Sequence, residues 1–160
     1  MKNRILRIFT ILGFSGMLFS CNGSQREPDP EYIDPPSYSE DSFQIHYKRK
    51  DNKFEDWALW LWEYPTGAGE EYSFNGTDDF GAIAAYPISK WAGLSSSKTL
   101  GFIIKSKGSW NKKDVGIDRV IDFSQLEKDE KNIYHVYLNS GDENIYTDKN
   151  LTIMDGIEFV

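Results

Sequence analysis

From Ser42 onward, hydrophobic and polar residues alternate along the chain with a period of two. Phe43, Ile45 and Tyr47 alternate with Gln44, His46 and Lys48; Leu100, Phe102 and Ile104 alternate with Gly101, Ile103 and Lys105; Ile133, His135 and Tyr137 alternate with Tyr134, Val136 and Leu138. Successive side chains of a strand point to opposite faces, so each run predicts a β-strand. Turn clusters separate the runs: Asp51-Asn52, Thr66-Gly67-Ala68-Gly69, Asn75-Gly76-Thr77-Asp78-Asp79 and Ser140-Gly141-Asp142. Short strands divided in this way predict an all-β fold, an antiparallel immunoglobulin-like β-sandwich of about seven to eight strands. Only Ser89 to Leu94 and Ser124 to Lys128 carry short helical patterns.

The first twenty residues break this pattern. Lys2, Arg4 and Arg7 precede an apolar run from Ile8 to Phe19, and Ser20-Cys21 follows. A cationic start, a short apolar stretch and a small residue at the end form a secretory signal peptide. The run is shorter than the roughly 20 residues that cross a bilayer. Cys21 is the single cysteine and stands where a lipoprotein signal peptidase would leave it as a new N-terminus, in an arrangement that resembles a bacterial lipobox with a bulky Phe19. Lipidation of Cys21 is therefore expected, with anchoring at the bacterial cell envelope, at the outer membrane or cell surface; each buried methylene contributes about 0.8 kcal/mol. A plain secreted protein is the other reading. One thiol permits no intramolecular disulfide. Residues 21–41, with Pro28, Pro30, Pro35 and Pro36 among acidic and small residues, read as a semi-rigid tether, and 42–160 as the folded module.

Of the 160 residues, 39% are hydrophobic and 15% aromatic; 18 Lys and Arg stand against 25 Asp and Glu, for a net charge of -7. The three cations of residues 1–20 leave with the signal, so 15 remain against 25, or -10. A nucleic-acid partner is disfavoured, because such affinity rests on cationic patches. The chain is too short for a barrel enzyme of about 250 residues.

The aromatic excess concentrates in Trp57-Ala58-Leu59-Trp60-Leu61-Trp62. Leu59 and Leu61 share one strand face with Trp57, and Trp60 and Trp62 share the other, attached roughly 6.6 Å apart at about 3.3 Å per residue. That spacing is comparable to the step between sugars in an oligosaccharide, and the C–H face of a pyranose suits an indole ring without needing charge. The alternative is a strand buried on both faces, with the tryptophans in the core. Downstream, Lys112, Lys113, Asp114 and Asp118 crowd one loop after Trp110, where Gly108 and Gly116 permit turns. They read either as donors and acceptors for vicinal hydroxyls or as a solvated charged loop. Trp110 reads equally as a third stacking surface or as a core cap.

Several motifs occur in one order: His46-Tyr47-Lys48-Arg49, Trp57 to Trp62, Gly76-Thr77-Asp78-Asp79-Phe80-Gly81, Leu100-Gly101-Phe102-Ile103-Ile104, Lys113-Asp114 with Asp118-Arg119, and Gly141-Asp142 with Ile145-Tyr146-Thr147. Together, from about Ile45 to Thr147, they resemble the bacterial pullulanase-associated domain, carbohydrate-binding module family 41. The resemblance implies a β-sandwich without cofactor that binds α-1,4-linked glucan stretches of starch, glycogen or pullulan. It assigns sugar stacking to Trp60 and Trp62 and hydrogen bonding to Lys113 and Asp118, with the adjacent Lys112 able to take the lysine's role. Envelope glycan-uptake or amylolytic proteins are the implied partners. Tyr137 stands where the family commonly has tryptophan and is expected to be a core substitution. The stretch from Lys90 to Lys98, with Trp91, is longer than usual.

Catalytic signals are weak. Glu70-Glu71 and Asp78-Asp79 are neighbours on a strand or turn, and residues pointing to opposite faces do not flank one glycosidic bond. His46 and His135 fall on separate strands and are expected to lie apart, so neither a metal site nor a nucleophilic triad is expected. The expectation is a non-catalytic module. Two other readings remain: the front end of a pullulanase that continues beyond Val160, and a structural or adhesion sandwich, which predicts buried tryptophans.

Overall fold

A computed structural model describes residues 32–151. The signal segment, Cys21, the upstream part of the tether and the residues after Leu151 lie outside the described residues.

The alternating runs form strands as their period dictates. They are β1 (Ser42–Lys48), β2 (Trp57–Glu63), β3 (Glu70–Ser73), β4 (Gly76–Thr77), β5 (Ala82–Pro87), β6 (Thr99–Ser106), β7 (Arg119–Asp122) and β8 (Ile133–Asn139). One sheet has the order β4-β5-β1-β8 and the other β3-β2-β6-β7. Pairing is antiparallel except between β1 and β8, which run parallel, Ser42 beside Ile133 and Lys48 beside Asn139. That exception arises because β8 enters from β7 of the opposite sheet by a crossover rather than by a hairpin. Helical structure is limited to α1 (Leu94–Ser97) and single turns at Ile88–Lys90 and Phe123–Gln125.

Between the sheets lie Phe43, Ile45 and Tyr47 of β1, Leu59 and Leu61 of β2, Leu100, Phe102 and Ile104 of β6, and Val136 and Leu138 of β8. Burial of each aliphatic or aromatic side chain here contributes about 1.5–3 kcal/mol. The long stretch after β5 also serves this core. Trp91 is buried, with its ring 5.6 Å from Phe43 and 5.3 Å from Tyr72, and so closes one end of the sandwich. The downstream end of the tether does not run free. Ile33 and Thr77 exchange two 2.7 Å hydrogen bonds, and a Cβ on Gly76 would meet Pro35 at 2.7 Å, so residues 33–35 cover the exposed edge of β4.

Three expectations need correction. Tyr137 is not a core residue: its alternation with Val136 and Leu138 turns it to the outer face of the first sheet. There it stacks on His46 at 4.5 Å and meets Phe80 edge-on at 5.3 Å. Nor do His46 and His135 lie apart, because β1 and β8 are adjacent and place both imidazoles on this same face. His46 Nε2 and His135 Nδ1 are 2.9 Å apart, His46 Nδ1 lies 2.8 Å from Asp78, and His135 Nε2 lies 3.2 Å from Asp129. The ring centres are separated by 5.2 Å, the nitrogen separation plus the two ring radii, so the two nitrogens point at each other along one line. This is the geometry of an N–H···N bond, not of two ligands converging on a metal. The four groups leave three gaps. Two neutral imidazoles fill two of them, one added proton fills the third, and a second would set N–H against N–H.

The third correction concerns Asp114, which the sequence groups with the sugar-facing loop. It is buried instead. Its Oδ2 accepts from Arg119 Nη2 at 2.9 Å, and its Oδ1 accepts from Tyr47 Oη at 2.7 Å, Ser140 Oγ at 2.9 Å and the Gly141 N–H at 3.1 Å. Both charged side chains are 1% exposed, and the guanidinium lies 5.1 Å over the Phe102 ring. The pair pins the loop between β6 and β7 to both sheets.

Removing one member of a buried ion pair strands the other charge. Asp114→Ala is therefore expected to lower the unfolding free energy by about 3–5 kcal/mol in urea titration, and Asp114→Asn by less, because its amide oxygen still accepts from Tyr47 and Ser140. A loss below about 1 kcal/mol for the alanine variant would contradict this account.

The histidine chain predicts acid sensitivity in two stages. Burial, and then the charge of His46, hold His135 below its ordinary range against the opposing bond from Asp129. Burial raises the Asp78 carboxyl, but its bonds from His46 and the Gly81 and Phe80 N–H groups outweigh that and hold it low. Asp129 is likewise raised by burial and lowered further by the Ile133 N–H, His135 and the Lys131 N–H. In each case the unfolded chain binds more protons, so stability falls as pH falls: first below about 6.5, as His135 titrates, and again below about 4, as the carboxylates do. Urea midpoints measured against pH should show both steps, and His135→Gln should remove the first.

Candidate functional site

The outer face of the β3-β2-β6-β7 sheet is built by the same alternation that fills the core. With Leu59 and Leu61 inward, Trp60 and Trp62 of β2 must point outward, and Gly101, Ile103 and Lys105 of β6 flank them across the ladder. Trp62 pairs with Gly101 in register, and a Cβ there would run into the indole; glycine lets the ring lie flat on the sheet. For this reason Trp62 is only 9% exposed, much less than an outward alternation by itself would predict. Trp60 is half-buried, its ring edge set over Gly69 of the turn between β2 and β3.

A third indole joins them. β6 is prolonged by a tight turn in which Ser106 N donates to Lys112 O at 3.0 Å, Asp114 N donates to Ile104 O at 2.8 Å, and Gly108 takes a positive φ of 67°. Only glycine adopts that angle without strain. At the tip, Trp110 is 49% exposed and stands 5.2 Å from Trp60, with the rings inclined at 65°. The Lys113 ammonium lies 5.6 Å from the centre of the Trp110 ring. Trp60, Trp62, Trp110, Ile103, Asp118 and the Pro65–Gly67 turn line a shallow depression of about 270 Å³.

The structure thus brings Trp60, Trp62, Trp110 and Asp118 to one surface. Lys113 reaches that surface through Trp110. Lys112 is exposed and supplies its carbonyl to the turn, and its side chain is not part of the depression's lining. The sequence marks Thr66 to Gly69 as a turn and Gly101 and Ile103 as part of a strand, but does not assign them to the site; Gly101, a vacant outward position in β6, becomes legible as a seat for Trp62 once the β2–β6 register is known. A larger cleft of about 530 Å³ sits elsewhere, lined by Tyr32, Phe54, Trp57, Phe80 and the turn from Asn75 to Asp79. It offers no comparable row of outward indoles, and Trp57 there packs against the core and beneath the Arg49 guanidinium at 4.4 Å.

The surface is suited to a neutral, flat-faced ligand. Trp110 and the half-buried Trp60 offer stacking area, Trp62 at 9% exposure adds only a margin of its ring to the floor, and a few polar groups at the rim fix orientation. Nothing in it resembles a hydrolytic pair: the acidic neighbours Glu70 and Glu71 lie on β3, and Glu71 is engaged by Lys105, whose bond holds its carboxyl below the ordinary range. Among the described residues, no cluster of three or more His, Cys, Asp or Glu is arranged to hold a metal ion.

A family model described as the bacterial pullanase-associated domain matches residues 41–147. Among solved structures, the chain superposes with a TM-score of 0.51 and 17% identity on a protein described under "Alpha-glucan recognition by family 41 carbohydrate-binding modules from streptococcal virulence factors", covering 71% of this chain and 50% of the other. It spans half the length of that relative. A second similar structure is the family 41 module CBMd from Eubacterium rectale Amy13K, at 21% identity and a TM-score of 0.45, covering 68% of this chain and 95% of the module. The streptococcal likeness establishes the β-sandwich fold. With two thirds of the sequence matched by the family model, this chain belongs to the bacterial pullanase-associated domain family.

Proposed function

We propose that this module binds α-1,4-linked glucan stretches of starch, glycogen or pullulan, by stacking sugars on Trp60 and Trp62 with hydrogen bonds from Asp118 and Lys113. The observation that carries the reading is the row of outward indoles, Trp60, Trp62 and Trp110, in one depression with Asp118. Trp110 adds a third stacking face at the depression's rim, and Lys112 is the neighbour able to replace Lys113. The streptococcal structure, described as α-glucan recognition by family 41 modules, supports the choice of α-glucan. The net charge of -10 over residues 21–160 divides equally between the tether and the module, and an acidic module favours a neutral polysaccharide over a polyanion.

One short platform binds weakly, and many copies held at a membrane gain avidity through effective concentration. A lipid on Cys21 would supply that anchoring at the cell envelope, with the Pro-rich tether setting the reach and a glycan-uptake or amylolytic protein acting on the captured glucan. A continuing pullulanase chain would place the hydrolase on the same polypeptide.

Retardation in a native gel containing amylopectin tests the central reading. The chain beginning at Cys21 should migrate more slowly with polysaccharide than without, and Trp60→Ala and Trp62→Ala should each abolish most of the retardation while remaining folded. Normal migration of the parent defeats the glucan reading, and equal retardation of both variants moves the platform elsewhere. The anchor has its own check: radiolabelled palmitate should be incorporated into the protein in cells, and Cys21→Ala should lose the label and leave the membrane fraction.

A further inference from the structure

The indole face has a buried charge beneath it. Lys105 occupies the outward position of β6 after Gly101 and Ile103, yet it is 1% exposed. A cation removed from water is tolerated only when its hydrogen-bonding capacity is met. Lys105 meets it in full: the ammonium donates to the Glu71 carboxylate, to Ser106 O at 3.1 Å and to Ser109 O at 3.1 Å. Glu71 in turn accepts from the Gly108 N–H at 2.9 Å. Ser106, Gly108 and Ser109 form the turn that presents Trp110. The same ammonium, on a residue 1% exposed, lies 5.0 Å from the ring centre of Trp110 and 5.7 Å from that of Trp60.

We propose that Lys105, paired with Glu71, is a positioning residue of the sugar platform: it clamps the 106–109 turn and docks Trp110 against Trp60. The functional part rests on the glucan reading, whereas the geometric part stands without it. The sign of the effect separates positioning from electronics. A cation on the inner face of an indole draws electron density away from the outer face, which weakens stacking of sugar C–H groups there. Were the influence electronic, neutralising Lys105 would tighten binding; as a clamp, its loss loosens binding by freeing Trp110.

The test combines a spectroscopic and a binding readout on the chain beginning at Cys21. Two indoles 5.2 Å apart and inclined at 65° couple as an exciton pair, which gives a paired positive and negative band in far-ultraviolet circular dichroism. Trp110→Phe removes the band and defines its origin. Lys105→Met, shown to be folded by a cooperative urea transition, is expected to lose the band and to raise the amylopectin dissociation constant about tenfold, with no additional loss when Trp110→Ala is added. Glu71→Ala, which frees Gly108 and unpairs the lysine, is expected to change both readouts in the same direction and decides the matter if Lys105→Met does not fold. Retention of the band with affinity within about twofold of the parent overturns the proposal, as does tighter binding. A parent that shows the band but binds no glucan defeats the glucan reading and leaves the clamp standing.

Discussion

A slip of one residue between β2 and β6 would carry Leu59 and Leu61 to the surface and drive Trp60 and Trp62 between the sheets. The observed register prevents this on both faces at once. Inside, Leu59 and Leu61 meet Ile104 and Phe102; outside, Trp62 finds the only side-chain-free outward position of β6, at Gly101. A strand whose two faces are both specified has one acceptable pairing. Everything the surface offers a ligand follows from that pairing, because it sets which rings face outward and how far apart they stand.

Loops become accurate parts of such a surface only when they are tied to the scaffold. Here the segment between β6 and β7 is held at both ends by buried charge. Asp114 ties its downstream half to Arg119, Tyr47 and Ser140, and so to both sheets. Lys105 and Glu71 tie its upstream half to β3. Neither arrangement is an efficient way to gain stability, since well-packed apolar residues often serve as well or better. What such networks add is a single permitted geometry, here for a loop that presents Trp110, Lys113 and Asp118.

The opposite sheet handles its outer face differently. Where β2 leaves Trp60 half-exposed beside Trp110, the outer face of β1 and β8 is covered by the stack of Tyr137 on His46, the edge of Phe80 and the His46–His135 chain between Asp78 and Asp129. Its β4 edge is covered by residues 33–35. The two outer faces thus differ in kind, one closed by polar and aromatic contacts within the chain, the other available for a ligand.

Period-two alternation in β1, β2, β6 and β8 is a local property, so the strands, the sandwich and the outward orientation of Trp60 and Trp62 were legible in the sequence, as was the family from its ordered motifs. The sequence could not say that β1 and β8 are neighbours, since their contact spans most of the chain. Hence two histidines expected apart are bonded, and Tyr137 lies outside the core. Nor could it separate Asp114 from Asp118, two carboxylates of one polar loop, because burial of one depends on Arg119, Tyr47 and Ser140 arriving from other elements. Trp62 shows the same division within one residue: its own strand turns the indole outward, and a glycine some forty positions downstream decides that it lies flat. Local periodicity fixes direction, and only tertiary pairing fixes neighbours, because the groups that cover, neutralise or make room for a side chain come from distant parts of the chain.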